Sequence, residues 1–217
     1  MATMSRLVET IAKWEGMDPA TVRLIARTVR EAGLITTGGR GTSAGKMTYS
    51  DASNLLIAVN ASASAQEAPE TVRKYRRLVL WSEGKHRVLS TFSDALEQLI
   101  EAQARHGTLP KTYLSMPMPR LLSQKHIGRI RLCFYRPDIS ATLDISVTTD
   151  PSGPLGVTAT ASQLSKLSSR KANKVTNLTC RFQSLNYDSI GGDRRDTTVI
   201  GRATIRAVSS LLEYGID

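Results

Sequence analysis

The spacing of apolar residues along this chain changes from a period of about 3.6 to a period of 2 at Arg129. The first period is that of amphipathic helices, and the second is that of strands with one buried face. Alternation over 129–135 and 139–147, interrupted by a Pro-Asp turn, predicts an antiparallel hairpin. A further strand is expected over 178–187 and an amphipathic helix over 202–214. We therefore expect an α+β fold whose C-terminal antiparallel sheet is covered by a helix.

The N-terminal part predicts a winged helix-turn-helix. One helix over 5–16 buries an apolar side that ends with Trp14, and a second begins at Pro19, capped by Asp18. Gly33 ends that helix in a left-handed conformation. Two strand-like runs, 34–37 and 46–49, then enclose the Gly-rich segment 38–45, and Ser50 is expected to cap a third helix.

The second helix carries the residues that point to function. Arg23, Arg27 and Arg30 recur at i, i+4 and i+7, on a face away from the apolar stripe. Guanidinium groups on one face repel each other unless an anion lies against them. With Thr21 at the helix start, Arg40 at the loop tip and Lys46 at the loop base, they form the predicted DNA-binding set. The alternative is a solvated basic face followed by a mobile surface hairpin.

Three short motifs in this region resemble MerR-type winged-helix regulators. They are Thr21-Val22-Arg23, Ala32-Gly33-Leu34-Ile35 and Tyr49-Ser50-Asp51, which are similar to the recognition helix and to the steps into and out of the wing. Together the matching region covers about a quarter of the chain, and no long dimerising helix follows it. The resemblance implies base-edge and phosphate contacts from helix two and the wing, and binding as a dimer.

The chain divides on composition into three predicted parts. Residues 1–62 form the winged-helix domain, 63–125 a linker and helical connector, and 126–217 an α+β domain for dimerisation or sensing. In the connector, one helix is expected over 70–80. A second helix is expected to begin at its cap, Ser93, and to end at Gly107. The first of these helices has a basic cluster that provides secondary phosphate-contact candidates: Arg73, Lys74, Arg76 and Arg77.

The net charge of +10 favours an anionic partner, although residues 1–62 carry only +2 of it. Cys133 and Cys180 lie in strand-like runs and are expected to be buried free thiols in a reducing compartment. We find no signal peptide, membrane-spanning run, metal-ligand spacing or nucleophile motif, and expect a cytoplasmic protein that is not an enzyme, with no cofactor and no bound metal.

These features favour a sequence-specific double-stranded DNA-binding regulator, of bacterial or phage type and acting as a homodimer. The alternative is a viral DNA-packaging adaptor of small-terminase type, or another DNA-binding assembly protein, which would form a ring of eight or more copies. A protein-binding inhibitor with a degenerate wing would show no salt-dependent DNA binding.

Overall fold

A computed structural model describes residues 2–38, 45–80, 90–105, 107–147, 157–164, 166, 168–172, 174–184 and 196–215. The helices are α1 (Met4–Glu15), α2 (Pro19–Glu31), α3 (Tyr49–Ala61), α4 (Ala68–Arg76), α5 (Phe92–Arg105), α6 (Arg120–Gln124), α7 (Ala161–Leu164), α8 (Ser169–Ala172) and α9 (Arg202–Tyr214). The strands are β1 (Val79–Leu80), β2 (Thr112–Tyr113), β3 (Met116–Pro117), β4 (Ile127–Arg136), β5 (Ser140–Val147), β6 (Val157–Thr160), β7 (Val175–Gln183) and β8 (Asp196–Gly201). The fold is α+β.

The ends of α1 and α2 lie close to the predicted positions. Gly16 ends α1 and Gly33 follows α2, both with positive φ, while Asp18 caps α2. The prediction for Trp14 is wrong, since its side chain is 47 % exposed. In the last turn of α1 the side that faces α9 instead carries Glu15, which accepts a hydrogen bond from the Thr204 hydroxyl.

Helix α3 occupies the centre of the protein. Every residue from 51 to 61 is buried, so this helix has no solvent-facing side. It packs against α2, α4, α5 and α9 and against strands β4 and β8. Its N-cap is Thr48 rather than the predicted Ser50, and Tyr49, predicted to be in a strand, is its first residue. A reciprocal pair of hydrogen bonds between Thr48 and Asp51 stabilises this start.

The main sheet has the strand order β1-β7-β5-β4-β8, and β6 pairs with β7. All pairs are antiparallel except β6 with β7. The predicted hairpin is confirmed, with Leu132 opposite Leu143 and Phe134 opposite Ala141. These side chains are buried on the inner face, which α3 and α9 contact. Helix α9 contacts β4 and β8, as α3 does, and packs more extensively against α1 and α5.

Four aromatic rings join the helical part to the sheet. Tyr75 of α4, Phe92 of α5, Phe134 of β4 and Phe182 of β7 contact each other with centroid separations from 5.2 to 6.4 Å. Edge-to-face contacts of this kind add to the stabilisation from apolar burial. One continuous hydrophobic core includes residues from all three predicted parts of the chain.

Several predicted boundaries are wrong. The helix expected over 70–80 starts earlier, at Ala68, and ends at Arg76, after which Leu80 pairs with Phe182 in the sheet. Thr91 rather than Ser93 hydrogen-bonds the first turn of α5. The strand expected over 178–187 is β7, which starts at Val175; residues 185–187 lie outside the described part. Both cysteines are free and buried, as predicted.

Candidate nucleic-acid interface

Helix α2 has one buried side and one exposed side. Val22, Ile25, Ala26 and Val29 are buried against the core. The Asp18 carboxylate accepts hydrogen bonds from the backbone N–H of Thr21 at 3.0 Å and from its hydroxyl at 3.1 Å. Hydrogen bonds from the first turn lower the pKa of Asp18, because they stabilise its charged form. The helix start is thus held in place at neutral pH.

The three arginines of α2 lie in different surroundings. Arg23 and Arg27 are exposed, and the Arg27 guanidinium is 2.7 Å from the Glu31 carboxylate. The hydrogen bond to Glu31 raises the pKa of Arg27. Arg30 is half-buried, and its Nη1 lies 3.8 Å from the sulfur of Met4. Two of the three arginines therefore share an open surface, while the third points to the start of α1.

Leu24 lies between these exposed arginines in the sequence and was not among the predicted site residues. Its side chain is 56 % exposed. A leucine in an amphipathic helix is normally assigned to the core, so its residue type alone does not indicate that it faces solvent. An exposed apolar side chain beside two guanidiniums suits contact with a thymine methyl group in a major groove.

The loop after α2 is not the predicted β-hairpin. No strand includes the described residues of 34–37 or 46–48, and the Met47 N–H donates to the Ala2 carbonyl at 3.0 Å. The arms are joined instead by Asp51, whose carboxylate accepts from the Thr36 N–H at 2.7 Å and from the Thr48 N–H at 2.8 Å. We call this arrangement the Asp51 clamp. A side chain from α3 takes the role that ladder hydrogen bonds have in a hairpin.

The two arms lie close together at Gly38 and Gly45. A Cβ atom added to Gly45 would lie 3.2 Å from the Cα of Gly38, which is closer than ordinary van der Waals contact. This close approach explains a glycine at position 45. The predicted wing residue Arg40 lies outside the described part of the chain, whereas Lys46 is exposed next to Gly45.

A cleft of about 510 Å³ lies at the foot of this loop. It is lined by Arg30, by Ser5 of α1 and by the arm residues Thr36, Thr37 and Gly45. The cleft therefore joins α2 to both arms of the loop. It provides one guanidinium and several hydroxyl groups, a combination that suits contact with a phosphate.

The secondary candidates of α4 separate into two groups. Arg73, Lys74 and Arg77 line an open cleft of about 340 Å³ beside Ile139 and Ser184. Arg73 and Lys74 are also 3.8 and 3.9 Å from the Glu70 carboxylate, which weakens their attraction for a phosphate.

Arg76, the fourth candidate, points inward. Its Nη1 donates to Ser50 at 3.2 Å and to the side-chain oxygen of Asn54, and lies 3.3 Å from Glu97. Asn54 in turn donates to the Leu34 carbonyl at 2.6 Å. This network connects α4 and α5 to the loop that follows α2, so we assign Arg76 a structural role. The one sequence signal for this structural role of Arg76 was the polar residue Asn54 in the apolar helix α3.

Other kinds of site have little support in the described residues. No group of three or more His, Cys, Asp or Glu residues there could hold a metal ion. None of the described helices combines the length and apolar character needed to cross a bilayer. Comparison with protein-family models, curated proteins and solved structures finds no match to the chain.

Proposed function

We propose that this protein is a sequence-specific double-stranded DNA-binding transcriptional regulator that reads DNA with α2. One observation carries the proposal: α2 is capped and buried along one side, its open side exposes Arg23, Leu24 and Arg27, and the clamped loop follows it directly in the chain. A helix held in this way can enter a major groove without losing its packing.

The parts of the site have distinct proposed roles. Arg23 and Arg27 contact guanine edges or flanking phosphates, and Leu24 contacts a thymine methyl. Arg30 and Lys46, at the foot of the loop, hold the backbone and set the register. Thr21 lies at the start of the helix, and because its hydroxyl already donates to Asp18 it can accept from a base amino group but can donate to a phosphate only after a change of partner.

Winged-helix geometry, the resemblance to MerR-type regulators and a homodimer belong to the same proposal. The element order α1, α2, loop, α3 supports the first of these, and Asp51 follows the loop where the step out of a wing is expected. Sedimentation of the full chain tests the assembly. A dimer supports a regulator with two half-sites, whereas a ring of eight or more copies favours the DNA-packaging adaptor.

Selection of bound duplexes from a random pool tests recognition directly. Wild-type protein should enrich a defined sequence. Arg23→Ala and Arg27→Ala should each weaken binding to that sequence by about 1–3 kcal/mol and relax the preference at one position. Arg206→Ala, which removes an exposed arginine of α9, is the matched control and should bind as wild type does. Wild-type affinity and preference in both α2 variants would refute the reading role of this helix.

A further inference from the structure

The positive charge of this protein is concentrated in the part of the chain that forms most of the sheet, rather than around α2. Residues 111–183 contain eleven Lys and Arg against three Asp, a net charge of +8 out of the +10 of the whole chain. Residues 1–62, which include α2, carry only +2. A regulator that used α2 alone would leave most of its positive charge without a partner.

Strand alternation places part of this charge on the outer face of the sheet. The inner side chains of β4, β5 and β7 are buried, so the intervening positions point to the opposite side. Arg129 and Arg131 of β4 and Arg181 of β7 are exposed at such outward positions. We call the surface formed by the outward side chains of β4, β5, β7 and β8 the outer sheet face.

The register of the strands brings these three arginines onto one patch. Arg181 is paired with Thr142, which is paired with Cys133, so Arg181 lies level with the position two residues after Arg131. Neighbouring strands are about 4.8 Å apart and i, i+2 side chains about 6.6 Å apart, so all three guanidiniums fall within one patch. None of them has an ion pair among the described residues.

The remaining outward positions are mostly small and polar. They include Ser140, Thr142, Asp144, Ser146, Thr179, Gln183, Thr197 and Tyr135, which are at least partly accessible, together with the exposed Val199 and the buried Cys133. Asp144 is the one acidic side chain of this set, and it accepts a hydrogen bond from the Thr179 hydroxyl at 2.7 Å. Arginine with Ser, Thr, Gln and Tyr is the set of side chains that contacts phosphate and sugar in protein–DNA complexes. A single aromatic residue provides little stacking for unpaired bases.

We propose that the outer sheet face binds the phosphate backbone of a second DNA duplex, independently of its sequence. Helix α3 packs against α2 on one side and against β4 and β8 on another, so the sheet contacts α3 through its inner face. The exposed side of α2 and the outer sheet face therefore both face away from α3. One protein molecule can hold two duplex segments, one read by α2 and one held by charge.

The first test measures the salt dependence of binding to a random-sequence duplex of about 30 base pairs. Binding releases counterions, so the slope of log K against log salt changes by about 0.9 for each phosphate that a variant no longer neutralises. The variant Arg129→Gln/Arg131→Gln/Arg181→Gln should reduce the slope by about 2.7. The control Lys13→Gln/Lys111→Gln/Arg206→Gln removes the same charge at exposed positions elsewhere and should change the slope much less.

One further variant should change duplex binding in the opposite direction in the same titration. Asp144→Asn removes the acidic group from the outer sheet face and should tighten binding, with no loss of folding expected at this half-exposed position. An unchanged slope in the triple arginine variant, or an equal decrease in the control, would overturn the proposal. Tighter binding of a single-stranded oligonucleotide through the same arginines would overturn the choice of a duplex.

A second test detects the bridge itself. A duplex carrying the selected sequence is fixed on beads, loaded with protein and incubated with a fluorescent duplex of unrelated sequence. Wild type should retain the fluorescent duplex, and the triple arginine variant should bind the beads without retaining it. One outcome separates the two proposals. If wild type selects no sequence, the proposed DNA-reading role of α2 is refuted. If the triple arginine variant still reduces the salt slope of wild type in that case, the proposed binding by the outer sheet face remains supported. Full retention by the triple arginine variant refutes the bridge.

Discussion

The Asp51 clamp leads to a quantitative prediction for Asp51→Ala. The Asp51 side chain is 3 % exposed and accepts hydrogen bonds from the Thr36 N–H, the Thr48 N–H and the Thr48 hydroxyl. Hydrogen bonds to charged groups contribute about 1.5–3 kcal/mol each. The threonine donors are near solvent and can hydrogen-bond to water after the substitution, which reduces the net loss. We therefore expect a loss of about 3 kcal/mol in the free energy of unfolding.

A matched control exists at the start of α5. The Asp94 carboxylate accepts from the Thr91 N–H at 3.0 Å and from the Thr91 hydroxyl at 2.7 Å, which is the same local motif as in Asp51 and Thr48. Asp94 is exposed, and among the described residues its further donor is the nearby Ser90 hydroxyl at 3.4 Å rather than a backbone N–H from a separate arm. Asp94→Ala should therefore cost about 1 kcal/mol, the usual value for removal of a helix cap.

Equilibrium unfolding in urea of wild type and both variants provides the comparison. The difference of about 2 kcal/mol between the variants measures the bond across the loop together with the burial of the carboxylate. Asp51→Asn should lose less free energy of unfolding than Asp51→Ala, since its amide oxygen retains one acceptor for these donors. Equal losses in Asp51→Ala and Asp94→Ala would show that the carboxylate caps α3 but does not hold the arms together.

Three further predictions concern single side chains. Glu31→Gln should tighten duplex binding about twofold, measured by fluorescence anisotropy, because it releases Arg27 from a weak, exposed ion pair; weaker binding would contradict the role of Arg27. Tyr75→Phe removes a hydrogen bond of 2.6 Å to the Tyr135 carbonyl and should cost about 1 kcal/mol in urea unfolding, whereas an unchanged midpoint would mean that the hydroxyl is replaceable. Burial raises the pKa of Glu15 from its ordinary value of 4.5, so the contribution of Glu15 to stability is fully present below about pH 4.5 and is lost as pH rises through the folded-state pKa. Glu15→Gln should therefore gain stability relative to wild type as pH increases from about 4.5, and a difference independent of pH would refute this assignment.

The elements that could be predicted from the sequence are those with a strong local signal. The period of 2 over β4 and β5 and the Asp18-Pro19 start of α2 are both found in the structure. Short pieces such as β1 have too few residues to show a period, and their pairing partners are distant in the chain. The loop after α2 has strand-like residues, but Asp51, which contacts it from α3, replaces the expected ladder.

The candidate site was predictable only as far as residue type and helical spacing allow. Spacing correctly placed Arg23 and Arg27 on the exposed side of α2. It could not distinguish Arg76 from its neighbours on α4, because the partners of Arg76 come from α3 and α5. Nor could it locate the outer sheet face, since the grouping of Arg131 with Arg181 depends on strand order.

The burial of α3 on every side has a consequence for how this protein can evolve. Regulators can diversify by recombination, in which a DNA-reading unit is joined to a new sensory partner. In this protein α3 packs against α2 as well as against the sheet. Such an exchange would remove one of these packing partners and would expose apolar residues such as Leu56 and Ile57, each 0 % exposed. We expect diversification to proceed by surface substitutions on α2 and the sheet, while the connection between them is inherited as a single unit.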